Sequence, residues 1–182
     1  MAALADTNQL NDTYVVFASD NGYLLYRHRV KSKGAPYEES IGVPLIVRGP
    51  GVAHGEVRTQ IVANTDWAPT IANWAGVKPP EFVDGTSFSG VLRANPPAWR
   101  KRLLIEWFHS DRAFRGVRTS DDKTYVRYEK TGEGELYSLD ADPYQLRNVY
   151  RSADPDSIAR LEDQLRALSS CEREECSAAE GF

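Results

Sequence analysis

Residues 13–18 (TYVVFA) form an uncharged run of aromatic and β-branched residues, and the turn-forming tetrapeptide SDNG follows at residues 19–22. An apolar run of this length, closed by turn residues, predicts a buried strand of an α/β sheet. Ligands of open α/β sheets gather at the carboxyl ends of the strands, which is where Asp20 and Asn21 would lie. This one stretch therefore predicts an element of the fold and a candidate site.

The sequence around this stretch predicts two kinds of architecture in succession. A second apolar strand is predicted at residues 43–47 (VPLIV), after a long polar loop at residues 22–40, and a helix at residues 65–75. From residue 103, four short strand-like runs separated by Gly, Asp and Ser indicate an antiparallel sheet (LLIEWF, FRGVRT, KTYVRYE and GELYSL). The apolar spacing in residues 157–168 then predicts an amphipathic helix that packs on this sheet.

Composition limits the classes of function. The chain has 182 residues, of which 41% are hydrophobic and 26% charged, and its formal net charge is −4. These values are typical of a globular protein and give no concentrated positive charge for nucleic acid. No apolar run of about 18 residues is present, so we expect no membrane span. The first thirty residues show no secretory signal, and the compartment stays unknown.

Asp20 and Asn21 are the strongest candidate metal ligands. A carboxylate beside a side-chain amide offers two hard oxygens, the ligand type that calcium prefers. The alternative is an ordinary turn, because Asp-Asn-Gly is also turn chemistry. Calcium takes roughly six to eight oxygens, so this pair would form only part of a site.

The loop after Asn21 carries further candidates. Lys33 could neutralise an anionic substrate as a compact point charge, although Lys31 competes for this role and either lysine could simply be solvated. His28 could act as an acid, a base or an anion donor, or be an ordinary exposed histidine. Of Glu38 and Glu39, we expect one to have a structural role as a cap or ion-pair partner.

Cys171 and Cys176 are the two cysteines of the chain, five residues apart. Two cysteines alone cannot form a structural zinc site, which needs four ligands. A small disulfide loop would indicate an oxidising compartment, and two free thiols are the alternative.

Taken together, these motifs resemble the sulfatase family of the alkaline phosphatase superfamily. The resemblance rests on YVVFASDNGY, a loop with Lys33, PYEESIGVPLIVRGPG, DGTSF, ELYSLDADPYQLRN and the Cys-x4-Cys tail. The similarity is to the carboxyl-terminal region of bacterial arylsulfatases and N-acetylglucosamine-6-sulfatase-like members. It implies an α/β fold with a partial alkaline-phosphatase-like sheet in residues 1–98. A small α+β subdomain with a four-stranded antiparallel sheet and a terminal helix would follow in residues 99–182.

The resemblance also implies a function and roles for particular residues. Such enzymes hydrolyse sulfate esters of small molecules or sugars with a formylglycine and a calcium ion. Asp20 and Asn21 match calcium ligands, Lys33 matches a lysine that contacts the sulfate, and His28 matches a loop histidine with a weaker claim. Leu24 departs from the family, since many relatives have histidine at that position.

The formylglycine motif C/S-x-P-x-R does not occur in this sequence. We therefore expect the carboxyl-terminal portion of a sulfatase that is inactive alone. The alternatives are a related phosphodiesterase or phosphonate hydrolase, and a non-catalytic module from a truncated gene or a split chain with an upstream complementing partner. An incomplete sheet would expose an apolar face, so we also expect poor solubility or self-association.

Overall fold

A computed structural model describes residues 1–94, 96, 98–109, 112–172 and 174–182. The chain divides into two compact units. The first unit contains residues 1–20 and 43–97, and the second contains residues 21–42 and 98–182. The segment 21–42, which contains Lys33, thus belongs with the carboxyl-terminal residues, a grouping that the sequence did not predict.

Helices and strands alternate in the first half of the described chain, and strands followed by helices make up the second. The strands are β1 Val15–Ala18, β2 Leu45–Arg48, β3 Arg102–Trp107, β4 Phe114–Thr119, β5 Lys123–Tyr128 and β6 Gly134–Ser138. The α-helices are α1 Ala2–Asp6, α2 Glu38–Ile41, α3 Trp67–Trp74, α4 Ser89–Arg93, α5 Pro155–Ser170 and α6 Glu174–Glu180. Short 3-10 helices occur at Leu10–Asp12, Arg27–Arg29, Asn64–Asp66 and Tyr150–Ser152.

The first unit is built on a two-stranded antiparallel sheet and an aromatic cluster. Strands β1 and β2 pair so that Phe17 lies opposite Ile46. Nearby, Trp67 packs edge-to-face on the fully buried Phe88, with ring centroids 4.9 Å apart. Trp67 lies in the first turn of the predicted helix and contributes to this cluster, whereas Ile71, one turn later on the predicted apolar face, is 55% exposed, so the packing of that face is only partly as predicted.

The prediction that β1 is a buried strand is wrong for this structure. Phe17 is 63% exposed and Ile46, its cross-strand neighbour, is 65% exposed. In the described chain β1 pairs only with β2, and Val16 and Leu45 of the same two strands are exposed as well. The composition of residues 13–18 is typical of a strand covered on both faces, whereas the structure leaves large apolar side chains of β1 and β2 in solvent.

The second unit is the four-stranded antiparallel sheet that the sequence predicts, in the order β3-β4-β5-β6. Helix α5 covers it, and three of its leucines pack on residues from three strands. The resulting core consists of Val117, Tyr125, Leu136, Leu161, Leu165 and Leu168. Helix α5 begins at Pro155, where Asp154 caps it by accepting a hydrogen bond from the Ser157 N–H at 2.9 Å. The predicted amphipathic helix is therefore confirmed.

The carboxyl-terminal segment adds a short helix and a covalent link. Cys171 and Cys176 form a disulfide between the ends of α5 and α6, which selects the first of the two alternatives for these cysteines. Arg100 is buried in the same unit and pairs with Glu180 of α6 at 3.2 Å. The backbone N–H of Lys101 also donates to the Glu180 carbonyl, so the tail is fixed to the segment before β3.

Within the described residues, no helix combines the length and apolarity that crossing a bilayer requires.

Candidate functional site

The loop of the second unit brings two predicted site residues together. The Lys33 ammonium group donates a hydrogen bond to the side-chain oxygen of Asn21, twelve residues earlier. The loop is closed by backbone hydrogen bonds from Gly22 to Ser40 and from Leu24 to Ser32, both 2.9 Å. A cation and a hard oxygen donor are therefore held side by side by the fold of this loop.

Gly34, directly after Lys33, explains how the loop turns at this point. Its φ is +85°, and a Cβ atom built there would lie 2.7 Å from the indole ring of Trp107. Glycine is the residue that meets both requirements, because it has no Cβ and adopts positive φ freely. The backbone next to Lys33 is thus packed directly against strand β3.

Asp20 belongs to the first unit, and the boundary between the units falls between it and Asn21. Its backbone carbonyl accepts a hydrogen bond from the side-chain amide of Asn64 at 2.7 Å. Its carboxylate lies 3.5 Å from the hydroxyl group of Ser19. The carboxylate is thus at the end of β1, as predicted.

His28 packs within the loop against Tyr37 and Glu39. Its ring stacks on Tyr37 with centroids 3.8 Å apart, and its Nε2 lies 3.4 Å from Glu39 Oε2. Only 9% of its side chain is exposed. Its backbone is left-handed, with φ of +50°. These contacts support the loop, and the alternative of an ordinary exposed histidine does not hold, while the weaker candidate role in the site stays a prediction.

Both glutamates of the YEE stretch have ion-pair partners. Glu38 pairs with Arg118 of β4 at 3.1 Å, and Glu39 pairs with Arg27 at 3.1 Å. Burial acts to raise the pKa of Glu39, but hydrogen bonds from its own backbone and from Arg27, with the charges of His28 and Arg27, outweigh it and lower the pKa. These glutamates are structural, in line with the expectation for one of them.

Gln145 is a supporting residue that sequence reasoning missed. Its side-chain oxygen accepts from the backbone N–H of Glu38 at 2.7 Å, and its amide donates to the Pro36 carbonyl at 3.3 Å. It is buried and has a left-handed backbone, with φ of +49°. The signal was present in the DPYQLRN motif, but its partners lie more than a hundred residues away and no local pattern identifies them.

A second missed group surrounds Glu135 of strand β6. Its Oε1 accepts hydrogen bonds from the hydroxyl groups of Tyr37 at 3.4 Å and Tyr128 at 3.3 Å. Burial raises the pKa of Glu135, and hydrogen bonds from Tyr137, Tyr128 and Tyr37 offset only part of this effect. Burial also raises the pKa of Tyr37. These groups border a cavity of about 340 Å³ that the loop shares with strands β5 and β6.

The residues present match a calcium site in kind but do not complete one. Asp20 and Asn21 supply oxygen donors, and the Asn21 oxygen already accepts from Lys33. Among the residues that the structure describes, no group of three or more His, Cys, Asp or Glu side chains is arranged to hold a metal ion. A calcium ion would need further oxygens beyond this pair.

Comparison with known proteins identifies the family. Residues 27–171 match the family model of the N-sulphoglucosamine sulphohydrolase carboxyl-terminal domain. The chain belongs to the sulfatase family. The match covers most of the second unit and the larger part of the first, so this sulfatase chain is a carboxyl-terminal sulfatase domain, as its motifs predict.

Curated relatives agree with this assignment. The sulfatase chain is 33% identical over 174 residues to the N-acetylglucosamine-6-O-sulfatase of Bacteroides thetaiotaomicron. This alignment covers 91% of this chain and 31% of the relative. It is 30% identical over 206 residues to the human N-acetylglucosamine-6-sulfatase, covering 93% of this chain and 37% of the relative. The chain thus spans about a third of the length of these relatives.

Solved structures confirm the predicted fold class. A protein solved in complex with its substrate, D-glucosamine-2-N,6-O-disulfate, superposes with a TM-score of 0.85 at 27% identity, covering 100% of this chain and 38% of that one. The phosphonate monoester hydrolase of Silicibacter pomeroyi superposes with a TM-score of 0.80 at 26% identity, covering 97% of this chain and 38% of that one. The sulfatase chain therefore has the mixed α/β fold of the wider superfamily.

Proposed function

We propose that this chain is the carboxyl-terminal portion of a calcium-dependent enzyme that hydrolyses sulfate esters of sugars. In this proposal Lys33 contacts the sulfate group, and Asp20 and Asn21 contribute to the calcium site. The contact between the Lys33 ammonium group and the Asn21 side-chain oxygen carries the proposal. It joins two residues of the sulfatase pattern that are twelve positions apart in sequence.

The chemistry of these side chains suits a sulfate ester. An ammonium group is a compact charge that can pair with a sulfate oxygen, and its three protons allow it to keep the Asn21 contact as well. A bound calcium ion would supply additional positive charge for the same oxygens. His28 would support the loop, because its ring is already engaged by Tyr37 and Glu39.

The proposed activity needs residues that this sequence does not contain. No C/S-x-P-x-R motif for a formylglycine is present, and the calcium pair is two oxygens of roughly six to eight. The chain alone is therefore proposed to bind rather than to hydrolyse. The sulfated-sugar substrate is suggested by the relatives named for N-acetylglucosamine-6-sulfate and by the neighbour bound to a glucosamine disulfate.

The binding part of the proposal can be tested on the chain itself. Calcium and then inorganic sulfate are titrated into 15N-labelled protein, and backbone NMR shifts are followed. We expect shifts around Asp20, Asn21 and Lys33, and Lys33→Ala should abolish the sulfate-dependent part. Lys31→Ala is the matched control, since Lys31 lies on the same loop. Equal effects of the two substitutions would contradict the assignment of Lys33.

The catalytic part is tested by the gene. Genomic DNA upstream of the Met1 codon is sequenced and searched in frame for C/S-x-P-x-R. If the motif is found, the longer protein should hydrolyse a sulfated N-acetylglucosamine, and Lys33→Ala should lower kcat/KM at least 100-fold. A stop codon without the motif would favour the non-catalytic, split-chain alternative.

A second candidate function is phosphonate or phosphate ester hydrolysis. The similarity to a phosphonate monoester hydrolase favours it, because metal sites bind tetrahedral anions of either kind. Competition separates the two candidates. If methylphosphonate binds at Lys33 with higher affinity than inorganic sulfate and displaces it, phosphonate ester hydrolysis is the better proposal.

A further inference from the structure

Asn21 and Gly22 form the one Asn-Gly pair of the sequence, the dipeptide in which asparagine deamidates most readily. In this reaction the backbone nitrogen of the following residue attacks the side-chain carbonyl carbon of asparagine. Glycine in the second position speeds the attack, because it has no side chain to obstruct it and its backbone is the most flexible. The other asparagines are followed by bulkier residues, for example Asn148 by Val149.

The packing around Gly22 requires glycine at this position. A Cβ atom built there would lie 2.1 Å from the Glu39 carbonyl oxygen and 3.2 Å from the Gly42 carbonyl oxygen. Both oxygens belong to the backbone, so they cannot swing aside as the end of a flexible side chain would. A side chain that would slow deamidation therefore does not fit at residue 22. The fold retains the labile pair, and any restraint on its reactivity must come from the surrounding contacts.

Three hydrogen bonds hold the groups that would react. The Gly22 N–H, which contains the attacking nitrogen, donates to the Ser40 carbonyl at 2.9 Å. The Asn21 side-chain amide donates to the Gly22 carbonyl at 2.9 Å, and its oxygen accepts from the Lys33 ammonium group. For ring closure the Gly22 nitrogen must lose its proton and the Asn21 side chain must rotate toward it. Both changes require these hydrogen bonds to break, so the loop must open first.

The Ser40 carbonyl is held in place by the second unit. Ser40 is buried and lies in helix α2, which has only four residues. The N–H of Glu38, the first residue of this helix, donates to the Gln145 side chain at 2.7 Å. The Glu38 carboxylate pairs with Arg118 of β4 at 3.1 Å. So short a helix is not stable alone, and these anchors therefore determine how often the Gly22 N–H is released.

We propose that Asn21 is a site of spontaneous deamidation whose rate is set by opening of the hydrogen bond between Gly22 and Ser40. In the open loop the Gly22 nitrogen loses its proton to water and bonds to Cγ of Asn21, which closes a succinimide ring. The bond from Cγ to Nδ2 breaks, and Nδ2 takes up a proton and leaves as ammonia. Water then cleaves one of the two ring C–N bonds. The net reaction converts the side-chain amide and one water molecule into a carboxylate and ammonia.

The two products have different effects on the loop. Aspartate at position 21 places a carboxylate beside the Lys33 ammonium group, so the present hydrogen bond becomes an ion pair. Isoaspartate adds a methylene group to the main chain and displaces Gly22, which has no free space on the side of Glu39. We expect this second product to keep the loop from closing. The proposal concerns the chemistry of Asn21 and stands whether or not Lys33 binds sulfate.

The test incubates the chain at pH 8, with and without guanidinium chloride, and measures deamidation of each asparagine by peptide mass spectrometry. We expect Asn21 to react about tenfold faster, or more, in the unfolded chain, because the Gly22 N–H is then always released. Asn148, in the same digests, is the internal reference and should react slowly in both states. The Gly22 N–H should also be protected from hydrogen exchange in the folded chain.

A pair of variants separates local opening of the loop from general loss of stability. Gln145→Ala removes an anchor of helix α2, and we expect deamidation of Asn21 in the folded chain to become about tenfold faster. Leu165→Ala is the matched control, because it weakens the core under α5, to which helix α2 does not contribute. Its rate should stay within about twofold of that of the unaltered chain. Circular dichroism verifies that both variants are folded.

Each outcome bears on one part of the proposal. Absence of deamidation at Asn21 in the unfolded chain would overturn the modification site. Equal rates in the folded and unfolded chains, or equal acceleration by Gln145→Ala and Leu165→Ala, would overturn control by the loop. If Gln145→Ala does not fold, hydrogen exchange of the unaltered chain decides the question. In that case an unprotected Gly22 N–H would contradict the proposal, and protection together with slow deamidation would support it.

Discussion

Gln145 and Glu38 are joined by a hydrogen bond of 2.7 Å between the Gln145 side-chain oxygen and the Glu38 backbone N–H. The partners are 107 positions apart in sequence. The same glutamine also donates to Pro36, so one buried amide fixes both ends of the Pro-Tyr-Glu turn. This turn begins two residues after Gly34, and its position decides how the loop lies on the sheet.

Replacing Gln145 should therefore destabilise the chain. Gln145→Ala leaves a buried N–H and a buried carbonyl without partners, and we expect the free energy of unfolding to fall by about 2 kcal/mol. Urea unfolding followed by tyrosine and tryptophan fluorescence measures the change. Gln9→Ala, at an exposed glutamine of the first unit, is the control and should stay within about 0.5 kcal/mol. A similar value for both substitutions would contradict the role of Gln145.

Glu39 and Glu135 should give stability opposite dependences on pH. The pKa of Glu39 is lowered from its ordinary value of 4.5, so its contribution is present above that pH and is lost as the pH falls through the folded-state pKa. The pKa of Glu135 is raised, so its contribution is complete below 4.5 and is lost as the pH rises through the folded-state pKa.

Urea unfolding of Glu39→Gln and Glu135→Gln at pH values from 3 to 8 tests this pair. The unaltered chain should gain stability relative to Glu39→Gln as the pH rises. It should lose stability relative to Glu135→Gln over the range above 4.5. If the stability difference from the unaltered chain changes with pH in the same direction for both variants, the pKa shifts of Glu39 and Glu135 do not differ in sign.

Reduction of the disulfide should have a modest effect on stability. The bond between Cys171 and Cys176 closes a loop of only a few residues, for which chain entropy gives about 2 kcal/mol. We expect the free energy of unfolding in urea to fall by this amount in dithiothreitol or in the Cys171→Ser, Cys176→Ser double variant. If the reduced protein and the double variant match the oxidised protein, the bond contributes nothing to folding.

The exposed pair Phe17 and Ile46 should promote self-association. The two side chains lie opposite each other on β1 and β2 and present an apolar surface beside unpaired strand edges. We expect Phe17→Ser with Ile46→Thr to lower the apparent mass in sedimentation velocity. Phe82→Ser removes a single exposed aromatic side chain elsewhere in the first unit and is the control. A monomeric unaltered chain at high concentration would contradict this prediction.

Local sequence patterns predicted the second unit well. The spacing of Leu161, Leu165 and Leu168 defines one face of α5, and the four strand runs have turns between them, so each element is specified by its own residues. The first unit was predicted less well. The composition of residues 13–18 reports the environment that these side chains suit, and only the structure reveals that β1 has a single partner strand.

Site prediction divided in the same way. Lys33 and Asn21 were found because the motif that contains them is continuous, and the structure brings them into contact. Their proposed roles toward sulfate and calcium stay predictions. Gln145 and Glu135 were missed because a buried amide and a buried carboxylate are identified by what surrounds them. Each has a partner about a hundred positions earlier in the sequence, and periodicity carries no information about such pairs.

The division of the chain into residues 1–20 with 43–97 and residues 21–42 with 98–182 has a consequence for its covalent connectivity. The backbone passes from one unit to the other three times, near residues 20, 42 and 97. A single proteolytic cut at any one of these crossings leaves the two units covalently linked through the others. A fragment that begins near residue 98 would lack the Lys33 loop altogether. Neither unit can thus be separated or exchanged between relatives as one uninterrupted piece of gene.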